Sequence, residues 1–172
     1  MEKLQPFNPL AENISLRGEL KWDSGQLRLR FEVDDPTWAL KDGLQAKYWK
    51  AQELKREDGL WKSTCFEAFW GEKGRAAYWE LNLSGDGKWN LYRFDGYRSP
   101  EPPVQSDDFT ILELKTTNSR LDCLLKPKGT LGALEASLTA VVRVASGTHY
   151  FAVKHASAKA DFHLRDSFCL HL

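Results

Sequence analysis

Glu67 and Glu80 sit in the middle of two strand-like runs. Thr64 to Gly71 alternates Cys65, Glu67 and Phe69 against Phe66, Ala68 and Trp70; Ala76 to Ser84 alternates Tyr78, Glu80 and Asn82 against Trp79, Leu81 and Leu83. A carboxyl flanked by aromatic rings is either partly buried and paired or set on a concave wet face. Two carboxyls facing one cleft suit glycoside hydrolysis, one protonating the leaving group and the other serving as base or nucleophile. Strand glutamates more often orient a ligand without reacting, and we expect that role here.

The surrounding residues favour recognition. Seven Trp in 172 residues are more than a core of this size needs. The C–H faces of sugar rings stack on Trp and Tyr, while amide and charged groups bind the hydroxyls at the edge. Trp61, Trp89, Glu80, Asn82 and Arg93 offer that mixture, and Arg93 would supply planar donors for a carboxylate or vicinal hydroxyls. Trp79 shares its parity with Leu81 and Leu83 and belongs to the core. The expected ligand-binding set is Trp61, Glu67, Glu80, Asn82, Trp89 and Arg93, with His155, Asp161 and His163 at the rim, where Asp161 could orient either imidazole. It requires Glu80 and Arg93 to face the same hollow. We assign no catalytic residue, no cofactor and no metal.

Other chemistries lack their signatures. The chain has no phosphate-binding glycine loop followed by Lys, no dinucleotide fingerprint, no G-x-S-x-G, no H-E-x-x-H and no C-x-x-C. His149 and His155 lie six residues apart on one strand, about 20 Å along it, and cannot share an ion. His155, Asp161 and His163 form an incomplete metal set. Cys65, Cys123 and Cys169 are odd in number and without metal spacing, which suits reduced apolar thiols. Lys plus Arg and Asp plus Glu number 24 each, so no net charge pulls the chain toward nucleic acid or an anionic membrane. No window reaches the ~18 apolar residues of a membrane helix. MEKLQPFNPL has neither the apolar region nor the cleavage site of a secretory signal, and we expect a cytoplasmic protein.

The elements that must position these residues are strands. Ile14 to Asp34 alternates across a turn at Asp23-Ser24-Gly25, and Gly85-Asp86-Gly87 turns the chain between Trp79 and Trp89. Phe109–Lys115 and Arg120–Lys126 read as one hairpin, Ala136–Ala145 and Thr148–His155 as another. SPEPPVQSDD, residues 99–108, is a surface loop, and residues 37–59 are a long loop with at most a short helix. Nine or ten short strands without crossover helices give an all-β fold, an antiparallel β-sandwich of jelly-roll type, as one domain over 1–172. An up-and-down barrel is the alternative.

The runs LWKSTCFEAFW, YWELNLSGDGKWNLYRFDGYR and VKHASAKADFHLRDSFCLHL resemble the small bacterial DOMON-like domain proteins, relatives of the family 9 carbohydrate-binding modules. The resemblance extends from Ile14 over nearly the whole chain. It implies a β-sandwich with a ligand cleft, used elsewhere for sugars or for haem. Haem-binding relatives use a Met and a His as axial ligands; the one Met here is Met1, so that pair is missing. From residues and resemblance together we expect a non-catalytic module for a small polar ligand, a carbohydrate or related metabolite. Three alternatives remain: a hydrolytic or isomerising enzyme using Glu67 and a histidine, an interaction domain, and haem binding, for which only ligation by two histidines is left open.

Overall fold

The computed structural model describes all of residues 1–172. Alternating apolar residues fold into strands β1 (Glu2–Pro6), β2 (Ser15–Asp23), β3 (Gln26–Asp34), β4 (Lys47–Lys50), β5 (Lys55–Arg56), β6 (Cys65–Glu72) and β7 (Tyr78–Leu83). The second half adds β8 (Lys88–Phe94), β9 (Val104–Gln105), β10 (Phe109–Thr116), β11 (Arg120–Pro127), β12 (Leu134–Val144), β13 (Gly147–Ala152) and β14 (Leu170–His171). One sheet runs β4-β10-β11-β3-β2-β1, and the other β1-β13-β12-β6-β7-β8-β5. β1 belongs to both: its first residues pair with β2, its last with β13. Every pairing is antiparallel except the two-residue β5–β8 contact. The result is the expected antiparallel β-sandwich.

Its core is the apolar parity of each strand. Leu27, Leu29, Phe31 and Val33 of β3, with Leu121, Cys123 and Leu125 of β11, meet Phe66, Ala68 and Trp70 of β6 and Leu81 and Leu83 of β7. The turn between β2 and β3 has positive φ at both Ser24 and Gly25, the geometry whose twist matches a two-residue hairpin. In β10 the register slips between Ile111 and Glu113. This bulge lets Ile111 and Leu114 both point inward although they are three positions apart, an odd spacing that would otherwise put them on opposite faces.

Residues 37–59 are more ordered than the expected loop. They carry β4, a 3-10 turn at Ala51–Glu53, and β5. β4 extends the first sheet beside β10, and β5 extends the second beside β8. One excursion thus covers an edge of each sheet, opposite the seam made by β1, and edges left open invite association. Its approach to the β7–β8 turn depends on glycine: a Cβ on Gly85 would stand 2.3 Å from the Gly43 carbonyl oxygen. We expect Gly85→Ala to push the excursion away and cost about 1–3 kcal/mol. A lower urea midpoint, with faster proteolytic nicking within 37–59, would show it.

Candidate functional site

Both faces of β6 and β7 are buried, although only one of them meets the other sheet. The second face carries Glu67 and Phe69 on β6, Tyr78, Glu80 and Asn82 on β7, Asn90, Tyr92 and Phe94 on β8, and Thr139 and Val141 on β12. Cross-strand pairs fix this set: Glu67 lies opposite Asn82 and Thr139, Phe69 opposite Glu80, Glu80 opposite Tyr92, and Tyr78 opposite Phe94. Directly opposed residues share a face. Three non-strand segments cover it: the turn Leu60–Lys62, the loop near 96–103, and the chain after β13. Between sheet and cover lies a cleft of about 410 Å³, walled by Trp61, Phe69, Phe94, Tyr150 and Phe162 and edged by Glu67, Glu80, Arg98, Glu101 and His163. That volume lies within the ~300–1,000 Å³ range of small-ligand sites.

The cover is tied down by its own acids. Asp58 accepts from Tyr92 Oη at 2.8 Å, Asn90 Nδ2 at 2.7 Å and Gln105 Nε2 at 3.0 Å. These bonds hold Asp58 below the usual carboxylate range and fix the turn that sets the Trp61 ring edge-on to Tyr92, centroids 5.9 Å apart. Asp161 accepts from Tyr97 Oη at 2.6 Å, Arg98 Nη2 at 3.1 Å and its neighbour's backbone, His163 N, at 3.1 Å. It joins the 96–103 loop to the C-terminal cover.

The cleft acids are held differently. Glu67 is 2% exposed and Glu80 6%. Glu67 Oε2 accepts from Thr139 Oγ1 at 2.9 Å, and Glu80 Oε1 from Asn82 Nδ2 at 2.9 Å. Burial pushes Glu67 up to about 8, the Glu80 charge adding to it. Burial likewise pushes Glu80 up to about 7. Neither acid is paired with a lysine or arginine, and desolvation without a counter-ion favours the neutral carboxyl.

His163 is not that counter-ion. The backbone N–H of Arg98 donates to Tyr78 Oη at 3.2 Å, so the Tyr78 proton goes to His163 Nδ1, 2.8 Å away. Burial keeps Tyr78 protonated, with its pKa pushed up to about 12. This network assigns the proton of neutral His163 to Nε2. Nε2 stands 3.7 Å from Glu80 Oε2. Burial, with the nearby Arg98 charge, lowers His163 to about 4. The imidazole is therefore neutral wherever Glu80 is ionised, and their contact is polar without being an ion pair.

The sequence-derived set divides on this geometry. Trp61, Glu67, Glu80 and His163 line the cleft. Asn82 lies on the same face and holds Glu80, while Asp161 anchors Arg98 and the backbone of His163 from outside. Three expected residues are elsewhere, two of them on β8. β8 pairs with β7 so that Arg93 opposes Trp79 and Trp89 opposes Leu83, which sends both to the core side of the sheet. There Arg93 lies over the Trp79 ring at 5.5 Å and 3.6 Å from Asp108, and Trp89 lies beneath Arg56 at 4.4 Å. Glu80 and Arg93 thus face opposite ways, and Arg98 supplies the guanidinium of the cleft. His155 is also outside, its Nε2 2.8 Å from the Gln5 carbonyl and its ring edge-on to Phe7. No set of three or more His, Cys, Asp or Glu is placed to hold a metal ion.

Phe69, Phe94, Arg98, Tyr150 and Phe162 line the cleft as well, beyond the expected set. A three-residue loop centred on Asp86 pairs residue 80 with 92 and residue 79 with 93, so the turn motif already carried the signal for Tyr92 and Phe94. Arg98 and Phe162 lie outside strands, where no periodicity reports orientation.

No family model and no curated protein sequence matches the chain. Its fold does match solved structures. One is a candidate carbohydrate-binding protein from Bacteroides uniformis, with a TM-score of 0.61, 12% identity, and coverage of 98% of this chain and 84% of that one. Another is a family 9 carbohydrate-binding module from Caldicellulosiruptor kristjanssonii in complex with cellotriose, with a TM-score of 0.51, 12% identity, and coverage of 96% and 80%. At this identity the likeness establishes a shared fold.

Proposed function

We propose that this protein is a non-catalytic carbohydrate-binding module whose ligand lies in the cleft between the second sheet and its cover. The observation that carries this reading is the lining itself: five aromatic rings enclosing two buried carboxyls, a guanidinium and an imidazole. Ring faces suit the C–H faces of a sugar, and the polar groups at their edge suit its hydroxyls. The shared fold with a cellotriose-binding module supports the reading. Three free cysteines, two of them buried, support a reducing, cytoplasmic setting.

Calorimetric titration with a panel of mono- and oligosaccharides, sugar acids and amino sugars tests it. We expect saturable heat and quenching of Trp fluorescence with at least one of them, and Trp61→Ala to weaken that ligand by about tenfold or more. Silence across the panel in both signals would reject the reading.

A hydrolase on the same cleft is the second reading, favoured by one observation: Glu67 and Glu80 hold protons near neutral pH, as a general acid must. Release of nitrophenol from aryl glycosides, abolished in Glu67→Gln or Glu80→Gln, would replace the non-catalytic reading with this one.

A further inference from the structure

Glu67 and Glu80 are the most expensive groups in the cleft to keep buried. The lining holds three carboxyls, Glu67, Glu80 and Glu101, against one guanidinium, Arg98. Arg98 is already committed to Asp161 at 3.1 Å. His163 is uncharged for the reason given above. Two buried acids thus share a site with no free cation, although a buried charge is normally paired.

The hydrogen bonds leave a matching gap. Glu80 Oε2 has only His163 Nε2 at 3.7 Å, beyond hydrogen-bond reach. Asn82 Oδ1, on the amide that donates to Glu80, is buried without any partner. Once the two acids ionise, acceptors outnumber donors at the floor of the cleft, and the aromatic rings around it attract positive charge.

We propose that the ligand is a sugar bearing a primary ammonium group, seated between Glu67 and Glu80 within the rings of Trp61, Phe69, Phe94 and Phe162. The proposal rests on the carbohydrate reading and specifies its ligand. An ammonium brings three donors and one positive charge, which are what the floor lacks. It also fits the raised pKa of both acids: an arriving cation draws out their ionised form and releases a proton to solvent. Ammonium binding should therefore strengthen from pH 5.5 toward neutrality, as long as the ligand amine keeps its own proton, a dependence that a neutral sugar need not show.

The test is calorimetry on the unmodified protein with glucosamine, glucose, N-acetylglucosamine and ethanolamine, at pH 5.5 and 7.5. We expect glucosamine to bind about tenfold or more tighter than glucose and N-acetylglucosamine at pH 7.5, and that preference to shrink at pH 5.5. In Glu80→Gln and Glu67→Gln, checked for folding by circular dichroism, the glucosamine-to-glucose ratio should fall. Equal affinity for glucosamine and glucose overturns the ammonium proposal and leaves the carbohydrate reading standing. Binding of ethanolamine but of no sugar supports the ammonium site and removes the sugar. No binding by any of the four overturns the proposal.

Discussion

The unliganded protein is expected to lose stability as pH rises from about 4.5 to 8, the reverse of a protein held together by ion-paired carboxylates. Folded, Glu67 and Glu80 keep their protons up to about 8 and about 7; unfolded, they release them near the ordinary value of about 4.3. A folded-state pKa raised above the unfolded one gives stability that is complete below the unfolded value and lost as pH climbs through the folded one. His163 opposes this. Its folded pKa of about 4 lies below the ordinary ~6.5, so between those values the unfolded chain binds one more proton. Each proton of difference is worth ~1.4 kcal/mol per pH unit. Two acids against one imidazole leave a net loss with rising pH, and the loss steepens once His163 no longer compensates. Over the whole window the loss is on the order of 5 kcal/mol, or about 10 °C or more in Tm for a chain of this size. Scanning calorimetry at pH 5 and 8.5 measures it directly. The double variant Glu67→Gln, Glu80→Gln should flatten the profile and melt higher than the parent at pH 8.5. A Tm that is level or rising between pH 5 and 8 would mean that the two acids are not buried as described.

That profile is invisible in the sequence, which shows two glutamates on alternating runs and not whether anything covers them. What was legible follows from periodicity of two. The β2–β3 hairpin is specified by seven alternating apolar side chains and a turn whose Gly25 accepts positive φ. Trp79, Leu81 and Leu83 were readable as core because their parity holds nothing polar. β8 failed because both parities are plausible cores: Trp89, Leu91 and Arg93 on one, Asn90, Tyr92 and Phe94 on the other. Composition favours the wrong face there, and only the register through Gly85-Asp86-Gly87 decides. The cover lies further beyond reach. Its residues are placed by single anchors such as Asp58 and Asp161, each of which looks like a loop acid until its partners are known. The excursion at 37–59 is a related case: β4 has only four residues, of which Trp49 alone is buried, too little for a pattern to emerge.

The same substitution at two tryptophans should separate framework from site. Trp70, on the core parity of β6, is fully buried and sets its ring edge-on to Phe109 of β10, 5.1 Å away, so it joins the two sheets directly. Trp70→Ala leaves a cavity that close-packed neighbours fill only in part, and should cost about 3–5 kcal/mol. Its Nε1 has no hydrogen-bond partner, so Trp70→Phe forfeits volume alone and should cost clearly less. Trp61 is 39% exposed and lies at the cleft wall; Trp61→Ala removes one ring contact with Tyr92 and should move stability by about 1 kcal/mol or less. Ligand affinity should respond in the opposite order. Trp61→Ala should weaken binding with Tm nearly unchanged, and Trp70→Phe should lower Tm while the folded fraction still binds, because its ring faces away from the cleft. Urea midpoints and calorimetric affinities on the three variants make the comparison. A Trp61→Ala protein as unstable as Trp70→Ala would make Trp61 part of the framework and leave Tyr150 as the exposed ring of the cleft on which a ligand could first land.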